Sequence, residues 1–241
     1  MTHIFISDLH LSPHKPELSK MFTTFLSQYS GSGYNVYILG DLFDIWIGDD
    51  YSMQFYQNEI SALKNCHAEG TRLFFMHGNR DFLIRDEFVA STGGELLTDP
   101  TIIELQGVPT LLTHGDQLCT DDIGYQQMRS IIQNPNWIND FLAKPVEERL
   151  QLADNVRKQS REAGKLKSDE IMDTNQQAVE SFMAEHGVTQ LIHGHTHRPN
   201  KHEFQLNGSL ATRWVLGDWH ADHAQYLVVS DEGISLSKFS A

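Results

Sequence analysis

Five times along this chain a short apolar run ends in histidine, aspartate or asparagine, with a glycine beside four of the five ends. Ile4-Phe5-Ile6 runs into Asp8 and His10, and Val36 to Leu39 runs into Gly40-Asp41. Leu73 to Met76 leads to His77-Gly78-Asn79-Arg80-Asp81, and Val108 to Thr113 leads to His114-Gly115-Asp116. Leu191-Ile192 leads to His193-Gly194-His195-Thr196-His197. Short continuous apolar runs are characteristic of strands buried on both faces. In open α/β sheets, ligands bind just past the carboxyl ends of the strands. The pattern therefore calls for strands that deliver polar side chains at their C-terminal ends.

Between the runs, helical spacing is expected over 15–28, 51–69, 82–91 and 173–186. A hairpin is expected over 102–105 and 108–113, with strands at 190–193, 214–216, 225–229 and 234–236. Asp8 and His10 sit two apart, so extended backbone would point them the same way. The fold class is α/β: two packed mixed β-sheets flanked by helices. The chain has 241 residues, 40% of them hydrophobic, enough for one sizeable core. One domain over 1–241, with an insertion at 124–170, is expected rather than two domains.

The formal net charge is −14. Binding to nucleic acid relies on Lys and Arg neutralising phosphates, so this balance argues against such a partner. Cys66 and Cys119 form neither a metal-spaced pair nor a disulfide framework, which fits a reducing compartment. Asp8 comes too early for a signal peptide. No apolar run approaches the ~20 residues of a membrane-spanning helix.

The strand ends offer Asp8, His10, Asp41, Asn79, His114, His195 and His197. Carboxylate, amide and imidazole without thiolate suit Mn, Fe or Zn. Seven donors exceed the needs of one ion. With one shared carboxylate they suffice for two, about 3.5–4 Å apart, as in two-metal phosphatases and nucleases.

The ordered set Asp8-Leu9-His10, Gly40-Asp41, Gly78-Asn79-Arg80-Asp81, His114-Gly115-Asp116 and Gly194-His195-Thr196-His197 resembles the five motifs of calcineurin-like metallophosphoesterases. The resemblance implies an αββα sandwich. Asp8, His10 and His197 would hold one metal, Asn79, His114 and His195 the other, and Asp41 would bridge them. Two cations supply a hydroxide nucleophile near neutral pH. Arg80 would clamp phosphate with its planar fork. Asp41, Arg80 and His10 are thus the catalytic candidates, His10 as a possible acid. Asp81, Asp116 and His193 are weaker candidates for orienting ligands, and for His193 a plain hydrogen-bonded strand position is at least as good. Asp44, Asp49 and Asp50 have no assigned role.

Further stretches narrow the resemblance to the UDP-2,3-diacylglucosamine hydrolase family. They include Tyr37 to Phe43, Trp46 to Asp50, His77 to Leu83, Leu118 to Asp122, Ile171 to Asp173 and Leu191 to Pro199. That family implies hydrolysis of a lipid-linked nucleotide sugar in lipid A biosynthesis of Gram-negative bacteria. It also implies two Mn²⁺ per chain and a peripheral position on the cytoplasmic face of the inner membrane. Its substrate contacts fall on Asn79, Arg80, Asp122, Ser160, Lys167 and His195. Gly164 stands where the family often has asparagine and is given no role. No obligate protein partner is evident.

Residues 124–170 separate two of the motifs. Met128, Ile131, Ile132, Trp137, Ile138, Phe141 and Leu142 make their first part apolar. Residues 144–167 then carry seven basic residues against four acidic, net +3 in a −14 protein. A packed helical insertion with solvated charges is one reading. The other is a lid whose apolar face holds acyl chains and whose cations meet phosphate or anionic lipid. Two alternatives stand beside the lipid-linked substrate: another dinuclear phosphoesterase acting on a cyclic nucleotide or soluble nucleotide sugar, and a binding module without activity.

Overall fold

The computed structural model describes residues 1–164 and 171–240; within them, side chains are described except at 159–161, 163 and 164. The first part runs β1 (Thr2–Ile6), α1 (Pro16–Gln28), β2 (Tyr34–Leu39), α2 (Asp49–Ser52), α3 (Gln57–Ala68), β3 (Arg72–Met76), α4 (Asp86–Thr92) and β4 (Glu95–Leu96). The hairpin β5 (Thr101–Leu105) and β6 (Val108–Thr113) follows. Then come α5 (Ile123–Ile132), α6 (Pro135–Leu142), α7 (Val146–Gly164) and α8 (Gln176–Glu185). The chain closes with β7 (Gln190–His193), β8 (Asn200–Leu206), β9 (Ser209–Val215), β10 (Ala224–Ser230) and β11 (Gly233–Phe239).

The strands form two mixed sheets, ordered β11-β10-β1-β2-β3-β4 and β5-β6-β7-β9-β8. β1 to β4 are parallel, as are β6, β7 and β9. The C-terminal ends of β1, β2 and β3 in one sheet and of β6 and β7 in the other therefore carry all five motifs.

Alternation along each strand splits the core. Ile4, Ile6, Val36, Ile38, Leu73 and Phe75 face α1 and α3, where Met21, Phe22, Phe25 and Leu63 are fully buried. Their neighbours Phe5, Tyr37, Leu39, Phe74 and Met76 meet Leu112, Ile192 and Trp214 between the sheets. Leu111 and Leu191, on the outer face of the second sheet, pack on Val179 and Met183 of α8. The layers are thus helix, sheet, sheet, helix.

Two local expectations need correction. The helix expected over 51–69 is broken at Tyr56, whose φ is −123°. The break turns the Tyr56 ring inward, 4.2 Å from that of Phe43 and 5.8 Å from that of Trp46. The strand β8 was not expected. It is an edge strand whose outer positions are polar, so its apolar signal is weak. Its turn, Asn207-Gly208 with φ of 50° and 82°, has the Asn-Gly form that marks hairpins.

Candidate metal centre

The strand-end residues do not leave their strands in extended conformation. Asp8, His10, Asp41, His195 and His197 all have positive φ, from 47° to 68°. The expectation that Asp8 and His10 align through extended backbone is therefore wrong; both are left-handed. Such backbone is uncommon for residues other than glycine and clusters at functional sites. The other two non-glycine cases, Gln106 and Asn207, are hairpin turns.

Glycine makes the close approach possible at two points. A Cβ on Gly78 would collide with the Asp41 carboxylate and amide, and one on Gly194 would collide with Ser7 and the Asp8 carboxylate. Side-chain braces complete the shape. Asp81 accepts backbone N–H bonds from Gly78 (2.8 Å), Asp41 (3.2 Å) and Phe43 (3.3 Å). Asp8 Oδ2 accepts from Ser7 Oγ and from the amide of His195.

All seven strand-end candidates converge. His10 Nε2 lies 3.3 Å from His197 Nε2, which lies 3.4 Å from Asp8 Oδ1. Asn79 Oδ1 lies 3.0 Å from both His114 Nε2 and His195 Nδ1. Asp41 Oδ2 stands between the two groups, 4.0 Å from His10 Nε2 and 3.8 Å from His114 Nε2. Asp8, His10 and His197 can converge on one ion, as can Asp8, Asp41 and His114.

The electrostatics fit cations. Burial lifts the Asp41 carboxyl to about 7, against the pull of His114. Burial also opposes ionisation of Asp8, yet His197, His114 and His10 hold it below the usual carboxylate range. Burial disfavours the charged form of His114, but Asp41 and Asp8 outweigh it and raise the imidazole to about 9. Burial likewise lowers His10 and His195 to about 4. Asp8 Oδ1 is buried and lacks a hydrogen-bond partner. An unsatisfied buried oxygen among imidazoles is costly, and a divalent cation would satisfy it.

Known proteins agree with this geometry. Residues 1–199 match the model of the calcineurin-like phosphoesterase family. The chain belongs to this family. A UDP-2,3-diacylglucosamine hydrolase of Chromohalobacter salexigens is 45% identical over 232 residues, 96% of this chain and 94% of the relative. One of Nitrosococcus oceani is 48% identical over 219 residues, 91% of this chain and 88% of the relative. A solved archaeal phosphodiesterase, 13% identical with a TM-score of 0.50 and both chains fully covered, shares the fold.

Around this phosphoesterase centre the remaining candidates divide. Arg80 donates its amide to Asp41 Oδ1 at 2.7 Å, and its side chain lines a cavity of about 300 Å³ next to Asn79. Asp122 caps α5, accepting from the Tyr125 amide. Ser160 lies in α7 with its side chain outside the described residues, and Lys167 lies outside them altogether. His193 is fully buried, with Nδ1 2.8 Å from the Gly194 carbonyl.

The three acids without an assigned role bind neighbouring segments, as does Asp116, a candidate for orienting a ligand. Asp49 accepts from the Trp46 indole and from the amides of Arg85 and Phe88, which ties the tract to the start of α4. Asp50 pairs with Arg149 and Asp44 with Arg157, both on α7. Asp116 accepts from Tyr125 and Arg129, both on α5.

Asp218 was missed. Its carboxylate lies 3.4 Å from His197 Nδ1, on the side of the ring away from Asp8 and His10. Although burial opposes charge on His197, Asp218 and Asp8 raise its imidazole to about 10. Leu216-Gly217-Asp218 after β9 repeats the form of Leu39-Gly40-Asp41 after β2, a signal the sequence did carry.

Proposed function

We propose that this phosphoesterase hydrolyses the pyrophosphate of UDP-2,3-diacylglucosamine to UMP and 2,3-diacylglucosamine 1-phosphate. The observation that carries the reading is the cavity beside Asn79 and Arg80. Its walls are apolar, formed by Trp46 and Phe82 from the core side and by Met128, Trp137, Phe141 and Val156 from α5 to α7. A soluble nucleotide has no use for such a wall next to a phosphate clamp. Relatives bearing the hydrolase name match nearly the whole chain, including this segment. The inserted helices α5 to α7 accordingly form a lid over the acyl chains, in a single domain; residues 165–170 of the expected insertion 124–170 lie outside the described residues.

Asp8, His10 and His197 would hold one cation and Asn79, His114 and His195 the other, with Asp41 shared. Two divalent cations, Mn²⁺ in this proposal, activate a water nucleophile and oppose charge on the phosphoryl oxygens when bound. Asp218 keeps a proton on His197 Nδ1, so that Nε2 presents its lone pair to the centre. Arg80 orients the phosphate by its fork. Asp122, Ser160 and Lys167 contribute further substrate contacts, with Asn79 and His195 contacting substrate from the centre itself. The leaving group is a phosphate anion and needs little acid help, which His10 would supply.

Among the described residues no helix is long and apolar enough to cross a membrane. Ile123 and Ile131 on α5 are 67% and 59% exposed. They give the lid an apolar edge to rest on the cytoplasmic face of the inner membrane.

The test is product analysis with Mn²⁺-loaded protein in ¹⁸O-water. UMP and the diacylated sugar phosphate are expected in equal amounts, with label in UMP because attack falls on the α-phosphorus. Label found only in the sugar phosphate would reverse the site of attack. No cleavage would overturn the assignment.

A further inference from the structure

Two apolar cavities meet at one ion pair. The first is the cavity next to Arg80. The second, about 530 Å³, is walled chiefly by Pro13, Tyr51, Phe55, Tyr56 and Leu150. Asp44, Ile45, Ile47 and Arg157 line both. Arg157 donates to Asp44 Oδ2 at 2.5 Å, so the pair stands in the shared wall.

Stability does not explain this pair. The two side chains are 24% and 26% exposed, where ion pairs contribute little net free energy. Arg157 also leaves its Nε buried without a partner, a cost rather than a gain. Nor is the pair needed to attach α7. Arg149 already ties that helix to the acid tract, donating to the Ile47 carbonyl at 2.7 Å and to Asp50. What remains is its position. A hydrocarbon chain filling the first cavity meets charge at this wall, and pushing past it would separate two partly buried ions.

We propose that the Asp44–Arg157 pair is a removable wall that fixes the longest acyl chain the enzyme accepts, with the second cavity as the space it closes off. This rests on the diacylated substrate argued above.

The experiment measures kcat/KM for UDP-2,3-diacylglucosamines with acyl chains lengthened stepwise. In the wild type, kcat/KM should rise with length and then fall sharply at a limit. In the double variant Asp44→Leu/Arg157→Leu it should keep rising beyond that limit, by roughly fourfold per added methylene (about 0.8 kcal/mol). Either single variant leaves a lone charge at the wall and should extend the limit little. Leu150→Phe in the double variant narrows the second cavity and should bring the limit back. If the leucines impair folding, Asp44→Asn/Arg157→Gln should move the limit the same way. A double variant with the wild-type limit overturns the wall, as does an equal gain from each single variant, which would report a loosened helix instead. If the wild type is indifferent to acyl chains of any length, the diacylated substrate itself is wrong. A limit that is present but unmoved by the variants condemns only the wall.

Discussion

The strand-end loops bury Asp8, Asp41 and His114, are left-handed at five ligand candidates and are braced by hydrogen bonds to the carboxylates of Asp8 and Asp81. In α5 to α7, by contrast, Phe141 is the one hydrophobic side chain described as buried, while Trp137, Ile138, Leu142 and Leu150 pack on the core only in part. Those helices are tied instead by charge, through Arg129 to Asp116 and Arg149 to Asp50. Charge transfer at phosphorus needs donors fixed to a fraction of an ångström. Admission of a long flexible ligand needs a wall that can open at low cost, and sparsely buried segments open most readily. On the function proposed above, the two regions would divide chemistry from selection on that basis.

The largest expected effect lies on the rigid side. Asp41→Ala or His114→Ala should reduce activity to background while circular dichroism stays native, because two-metal chemistry fails when a shared or terminal ligand is lost. Chelation should do the same, reversibly on return of Mn²⁺. An active Asp41→Ala protein would break the comparison at its firmest point.

Replacing 124–170 with a Gly/Ser connector should act on one region alone. Metal content and cleavage of a small activated phosphodiester should persist. Turnover of the diacylated substrate should fall roughly a thousandfold, since a few lost methylene contacts suffice at ~0.8 kcal/mol each. Equal loss on both substrates would mean that the segment belongs to the catalytic core.

Asp218→Asn tests a brace rather than a ligand. Metal affinity, read by competition with a chelating dye, should weaken roughly 10- to 100-fold. Unchanged affinity would show that His197 needs no orienting carboxylate.

The gentlest probe is Arg129→Met, which removes one of the ties between α5 and Asp116. Amide exchange in α5 should quicken by roughly tenfold to a hundredfold, the loss of one charged hydrogen bond, while β1 and β7 keep their protection. Faster exchange in β7 as well would mean that the lid and centre are one cooperative unit.

The same division governs what could be read from the sequence. The ligand candidates were legible because each ends an apolar run, and strand periodicity survives folding. Their left-handed backbone was not legible, since nothing in Asp8 or His10 as residue types demands positive φ; the hydrogen bonds from their amides to Gly40 and Asp41 form only once β1 and β2 pair. Asp44 and Asp50 stayed without roles because their partners are on α7, far along the chain, where only the fold shows the pairing. Asp218 escaped for a related reason: its Gly-Asp form was visible, but its proximity to His197 depends on β9 pairing with β7. The apolar character of 124–142 was plain, whereas the cavity it closes over Arg80 is a property of the assembled helices.

The most direct measurement is the ratio of kcat/KM for UDP-2,3-diacylglucosamine over UDP-glucosamine without acyl chains, with Mn²⁺-loaded protein in mixed micelles. A preference of roughly a thousandfold or more is expected if the apolar cavity binds the acyl chains. Equal efficiency on the two substrates would contradict the division between a fixed centre and a selective lid.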